Sequence, residues 1–496
     1  MGIVVRQSIK STIVNYIGTF IGFITTMFIM TRFLRPEEIG LTRVILEAGL
    51  LFSVLAQLGT SASMLRFFPY FRNEKNKDNG FTFYMLAIPA IGCTVFVLLY
   101  VLLRSAITGM FIEKSPLFVD YYYWVIPMIV ILTYWQVFET YSAVKMRIVV
   151  PKFNRDVLLR VLLLSVYLFY GYHLITQRQL VGGFVVVYAV SALATFMYVL
   201  RIGRFTLKHD NSFINPPLRR DIGRYTLFLI VGALAETILA KLDLFMVSSG
   251  MGLDYSGIYT IAFNMAVVIE IPRRSITGIS SPLAAEALKG GDFETANKLY
   301  QKVSLHQLLA GGLIFVIIWA NIDGIFAVIP NGEIYAQGKW VVLFIGLAKL
   351  IEITLNFGGV LINFSKYYYW SLYFTFFIVA IGILTNYLLI PVMGITGAAL
   401  ATTVTCMLTY SVQQWIVLKK VKGNPYTKDT LKTLILLILL TGVGYILPHA
   451  GNSWVDIIYR SAVLGILGLA AVYYTRLSPH VNEVVDEVLR YIRIKK

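Results

Sequence analysis

The 496 residues are 57% hydrophobic and only 14% charged, with a mean hydropathy of +0.73 and a net charge of +17. A soluble domain carries about 25% charged residues, so this chain cannot wet its own surface and lipid must cover much of it. A basic excess usually suggests nucleic acid, but such binding needs a clustered basic surface, and here Lys and Arg fall in short runs between apolar stretches, as membrane topology produces, so no nucleic acid is expected as a partner.

A spanning helix needs about 20 mostly apolar residues. The pattern predicts fourteen: 11–31, 41–66, 81–103, 121–144, 157–177, 180–200, 225–249, 255–283, 303–328, 336–363, 368–390, 395–417, 431–448 and 456–475. The expected fold class is therefore all-α, a polytopic membrane protein. The first run lacks an A-x-A-like cleavage site and reads as a span. Short links such as Pro391-Val392-Met393-Gly394 leave successive helices as antiparallel neighbours.

Loop charge sets the orientation. Alternate connections hold most of the basic residues, among them Lys145, Arg147, Lys152 and Arg155, then Arg201, Arg204 and Lys208, and finally Lys419, Lys420 and Lys422. The opposite connections hold little beyond Arg32, Arg35, Arg43, Arg104, Lys114, Arg178, Lys339 and Arg460. Both termini are expected in the cytoplasm, in the cell's inner membrane. After Arg476 the stretch LSPHVNEVVDEVLRYIRIKK gathers its valines and leucine on one helical face. It reads as an amphipathic helix, either on the inner membrane surface or docked on the protein.

The two halves echo each other. RFLRPEEIGLTRVI (32–45) and SSGMGLDYSGIYTIAFNM (248–265) align with Gly40 on Gly257, Leu34 on Met251 and Glu37 on Asp254. A duplicated six-helix bundle with two added helices explains this. The expected division is an N-lobe over 1–220 (helices 1–6), a C-lobe over 221–420 (helices 7–12), helices 13–14 over 421–476, and the tail over 477–496.

No catalytic constellation is present. The five histidines are scattered, no HExxH or phosphate loop occurs, and no outer loop is large enough for an active site. An enzyme, a cofactor and a metal are all unexpected. Cys93 and Cys406 lie in apolar segments as small hydrophobes.

The informative residues are charges inside spans, each costing a few kcal/mol unless paired or wetted. They are Arg43 and Glu47 in the second helix, Glu139 in the fourth, Glu236, Lys241 and Asp243 in the seventh, Glu270, Arg273 and Arg274 in the eighth, and Lys349, Glu352 and Asn356 in the tenth. Glu270 is i,i+3 and i,i+4 from the two arginines and neutralises only one, leaving excess positive charge. Arginine's planar fork suits phosphate, so a cationic cavity points to an anionic, phosphate-bearing substrate. Ion pairs tying helices together are the alternative. Pro272 is expected to kink the eighth helix beside these arginines, and Pro127 to kink the fourth. The runs Tyr121–Trp124 and Tyr367–Trp370 sit at span ends and read as interface anchors, with stacking on sugar rings as the sharper option.

The stretches TFIGFITTMFIMTRFLRPEEIGLTRVI, LAIPAIG and PVMGITGAALATTV resemble the polysaccharide transporter (Wzx-type) flippases of the multidrug/oligosaccharidyl-lipid/polysaccharide exporter superfamily. That resemblance implies two six-helix lobes plus two C-terminal helices, and flipping of a polyprenyl-diphosphate-linked oligosaccharide from the cytoplasmic to the outer leaflet by alternating access. The related lipid II flippases use arginines in the first, second and eighth helices. By position these fall on Arg32, Arg43 and Arg273 or Arg274, although Phe33 stands where those flippases have an acidic neighbour. The expected substrate contacts are thus Arg273, Arg274, Lys349, Lys241, Arg43 and Arg32. Glu236, Asp243, Glu270, Glu352, Glu47 and Asn356 are expected to pair with them or to bind a coupling Na+ or H+. The expected partners are the lipid-linked glycan, the bilayer and polysaccharide polymerase machinery. A cation-coupled drug or metabolite exporter of the same fold is the second reading. A membrane glycosyltransferase, ligase or polymerase is the third.

Overall fold

A computed structural model describes residues 3–71, 77–202, 220, 223, 226, 230, 237–238, 241–367, 369–478, 482–483 and 486. Among these no strand occurs. The chain divides into two compact units, residues 1–260 and 261–496.

The principal helices are α1 (Ile3–Ile24), α2 (Pro36–Ala56), α3 (Phe81–Leu102), α4 (Val125–Val144), α5 (Leu159–Gly171), α6 (Gln177–Ile202), α7 (Leu253–Val267), α8 (Ile271–Lys289), α9 (Phe293–Ala320), α10 (Lys339–Leu355), α11 (Trp370–Ile416), α12 (Lys428–Ile446) and α13 (Ser453–Tyr474). Ten described stretches are long and apolar enough to cross a bilayer. One of them, Tyr373–Val421, holds two crossings. Gly394 interrupts α11 at φ +61°, a backbone that glycine adopts without cost. The Thr385 and Thr405 hydroxyls lie 3.0 Å apart, whereas twenty residues of straight helix would separate them by about 30 Å. α4 and the helical run from Val149 to Gly171 add two more crossings. The described residues 241–250 of the seventh segment are helical too. Fourteen crossings are therefore compatible with the structure.

Unit 1 is organised around α2, α4 and α6. Leu41, Val44, Ile45, Val125, Met128, Ile129 and Val181 bury their side chains in one core. A π-helical turn, Thr25–Met30, follows α1, and a second, Asn154–Leu158, precedes α5. Such turns often mark functional segments. Tyr122 is not the interface anchor expected from its aromatic run. It is fully buried, stacked on Tyr100 at 4.3 Å. Each of these tyrosines donates its hydroxyl to the other's carbonyl, at 3.2 and 2.6 Å. Tyr123 beside it is exposed, with the Arg104 guanidinium 5.2 Å from its ring centre.

In unit 2, α9 packs along α8, α10 and α12. Outward faces of both units carry bare apolar side chains such as Ile91, Leu98, Leu388 and Ile438, as lipid contact requires. No disulfide joins Cys93 and Cys406. Of the tail, Ser478 is buried and shares a hydrogen bond with His306 at 2.9 Å. Most of 479–496 lies outside the described residues.

Candidate functional site

α7 stops at Val267, a 3-10 turn spans Val268–Glu270, and α8 begins at Ile271. Pro272 accounts for the break: it has no N–H to continue the ladder and its fixed φ suits a helix start. Glu270 occupies the N-cap position without capping, which leaves its carboxylate free for other partners.

Those partners form a closed ring within unit 2. Glu270 accepts Arg273 on Oε1 and Lys349 on Oε2, the latter at 3.2 Å. Glu352 likewise accepts Arg273 on Oε1 at 3.2 Å and Lys349 on Oε2 at 2.8 Å. Each helix segment supplies one acid and one base at i,i+3, in opposite order: Glu270 before Arg273, Lys349 before Glu352. The opposite order lets every acid reach both bases. Two charges of each sign cancel, so the excess positive charge expected from counting Glu270 against Arg273 and Arg274 does not arise within this ring. The backbone of Arg274 continues α8, and its side chain lies outside the described residues. All four side chains of the ring keep 14–25% of their surface exposed. At the end of α10, Asn356 donates a long 3.5 Å hydrogen bond to the Tyr410 hydroxyl.

Unit 1 holds a second cluster. Glu47, 1% exposed, accepts Arg43 at 2.6 Å and Lys241 at 2.7 Å. Two cations on one carboxylate leave a net positive charge. Asp243, on the same helical stretch as Lys241, accepts the Tyr259 hydroxyl at 3.0 Å instead. Arg32 is exposed, its guanidinium 5.5 Å from the Phe33 ring centre. Glu236 lies outside the described residues. Glu139, in the fourth span, pairs with Arg155 at 3.0 Å. Sequence reasoning misses Tyr259 and Tyr410, whose hydroxyls bond to site residues on other helices. No spacing along the chain announces such contacts.

Among the described residues no group of three His, Cys, Asp or Glu side chains is arranged to hold a metal ion.

The fold and these interior charges define an all-helical, multi-pass membrane protein. Its structure is similar to the lipid II flippase MurJ in an inward closed conformation, with a TM-score of 0.73 over 95% of this chain and 100% of that one, at 12% identity. It is also similar to an inward-facing multidrug resistance MATE family transporter of the MOP superfamily (TM-score 0.60, 14% identity, 82% of this chain and 94% of that one). A Vibrio cholerae MATE transporter aligns with a TM-score of 0.56 at 11% identity, over 85% of this chain and 98% of that one. None of the curated proteins compared matches the sequence. The model of the family described as polysaccharide biosynthesis protein matches residues 4–283. The chain belongs to that family.

Proposed function

We propose that this protein carries a polyprenyl-diphosphate-linked oligosaccharide from the cytoplasmic to the outer leaflet by alternating access. The observation that carries this reading is the closed ring of Glu270, Arg273, Lys349 and Glu352. Arg273 offers a planar fork and Lys349 a point charge, the two donors best suited to a diphosphate. In the ring both are occupied by carboxylates, which hold the places that phosphate oxygens would take.

Substrate binding on this reading is an exchange of partners. The diphosphate displaces Glu270 and Glu352 from the two cations, and the freed carboxylates take up a proton or a sodium ion. Half-buried carboxylates inside a membrane span are costly to leave charged and unpaired, so the exchange ties substrate entry to cation entry. Arg274 adds one more cation on α8, and Arg43 and Lys241 on Glu47 form a separate cationic cluster within unit 1. Family membership in polysaccharide biosynthesis supports a glycan-bearing cargo.

The test is complementation. A strain lacking the gene and defective in surface polysaccharide is given the wild type or the Arg273→Ala/Arg274→Ala double variant. The wild type restores the glycan and the double variant does not. Full restoration by the double variant would overturn the site, and wild-type export of cationic dyes in place of glycan would favour the drug-exporter reading.

A further inference from the structure

Unit 2 carries a basic and aromatic surface that the transport reading does not use. The loop Ser365–Tyr367 follows the helix Phe357–Phe364. The π-helical turn Val417–Val421 ends the second half of α11, where Lys422 adopts a left-handed backbone at φ +58°. These two segments lie side by side because Leu361, Ile362, Ile416, Val417 and Val421 share one buried core, with Tyr367 and Trp370 packed on it. Above that core the lysines converge. The Lys366 and Lys420 ammonium groups stand 5.3 and 5.8 Å from the same Tyr367 ring centre. Lys419 sits 4.2 Å from the Trp415 ring centre. Lys366, Lys419, Lys420 and Lys422 are all exposed, and among the described residues none of them pairs with a carboxylate.

Like charges gathered on one ring repel, and the rings offset only part of that cost. An anion relieves it. Exposed Trp415 and half-buried Tyr367 stand at span ends, where such rings mark the headgroup layer, and lysine-rich connections are expected on the side of the leaflet with anionic lipid. We propose that Lys366, Lys419 and Lys420, walled by Tyr367 and Trp415, bind the phosphate of an anionic phospholipid. The site is independent of what the protein transports. It anchors the loop after the tenth span to the turn that ends the twelfth through one shared headgroup.

The full-length protein is purified in detergent, stripped of lipid and followed by native mass spectrometry. Dioleoylphosphatidylglycerol, dioleoylphosphatidylcholine and inorganic phosphate are added in separate arms and in competition. The wild type is expected to retain phosphatidylglycerol over phosphatidylcholine, and phosphate does not displace it. The Lys366→Ala/Lys419→Ala/Lys420→Ala variant loses that preference by about fivefold per lysine. The corresponding triple Lys→Arg variant keeps it, as does a Lys114→Ala/Lys339→Ala control. Equal retention of both lipids by the wild type overturns the proposal, as does an unchanged preference in the triple Ala variant. Displacement of the lipid by phosphate assigns the lysines to a free anion and overturns it too. Should the Ala variant misfold, the wild type and the Lys→Arg variant still decide the outcome.

Discussion

Gly40 and Gly257, the two glycines that align in the internal repeat, meet in space. A methyl group on Gly40 would strike the Leu253 carbonyl oxygen and come within 3.2 Å of the Gly257 nitrogen. One on Gly257 would strike the Pro36 carbonyl oxygen. Each glycine thus accepts the first turn of the other's helix against its bare Cα, at a distance where Cα–H···O contacts contribute. The obstacle on both sides is backbone, which cannot rotate away.

Alanine at either position is therefore expected to destabilise the protein by roughly 1–3 kcal/mol, the usual cost of overpacking. Thermal unfolding of the purified Gly40→Ala and Gly257→Ala variants checks this. A Gly223→Ala control meets nothing within 4 Å among the described residues and should unfold no more easily than the wild type. Melting temperatures equal to wild type for both variants would refute the close contact.

The spans are legible in the sequence because lipid dictates composition directly, and even the turn at Gly394 shows as Pro391-Val392-Met393-Gly394. The charged residues are legible as anomalies, and i,i+3 spacing exposes two sides of the ring, Glu270 with Arg273 and Lys349 with Glu352. The remaining two sides join separate helices, so the ring's neutrality stays hidden. Helical spacing turns Lys241 away from Asp243, but nothing along the chain says that its partner is Glu47. Tyr122 misleads for the same reason: its run matches an interface belt, while its partner Tyr100 lies on another helix.

Removing Glu47 tests the unit 1 cluster. Its carboxylate is the shared partner of Arg43 and Lys241, so Glu47→Gln strands two cations around a buried site. A loss of about 3 kcal/mol is expected, typical of breaking a buried pair from one side. Arg43→Gln costs less, because Lys241 still neutralises Glu47. Urea or thermal unfolding of both variants should rank them in that order, and the reverse order would show that Glu47 is not the hub.

The carboxylates of the unit 2 ring, on the exchange reading, compete with substrate for Arg273 and Lys349. Neutralising one should then tighten substrate binding while slowing release. Glu352→Gln gives up two charge-assisted contacts. It is expected to raise the affinity for a lipid diphosphate by roughly tenfold, about 1.4 kcal/mol, and to lower transport turnover. Isothermal titration against a short-chain polyprenyl diphosphate, alongside a vesicle flipping assay, measures both. Weaker binding in Glu352→Gln would mean that the carboxylate supports substrate directly and is no placeholder.

Arg460 behaves unlike the outer-loop charge it resembles in the sequence. It lies inside α13, 4% exposed. Its guanidinium donates to the Ala320 carbonyl at 2.9 Å and to the Leu447 carbonyl at 2.6 Å, and pairs with Asp456 at 3.2 Å. Those carbonyls lie at the C-terminal ends of α9 and α12, where helices leave acceptors unsatisfied and carry partial negative charge. One side chain therefore ties three helix ends together. Lysine cannot span them, since it lacks the fork. Arg460→Lys should loosen the connection 447–452 and leave the ring in α8 and α10 intact. Limited proteolysis reads out that connection. Faster cleavage there, with the proposed glycan export retained in the complemented strain, is the expected result, and unchanged cleavage would show that the three-way tie carries no stability.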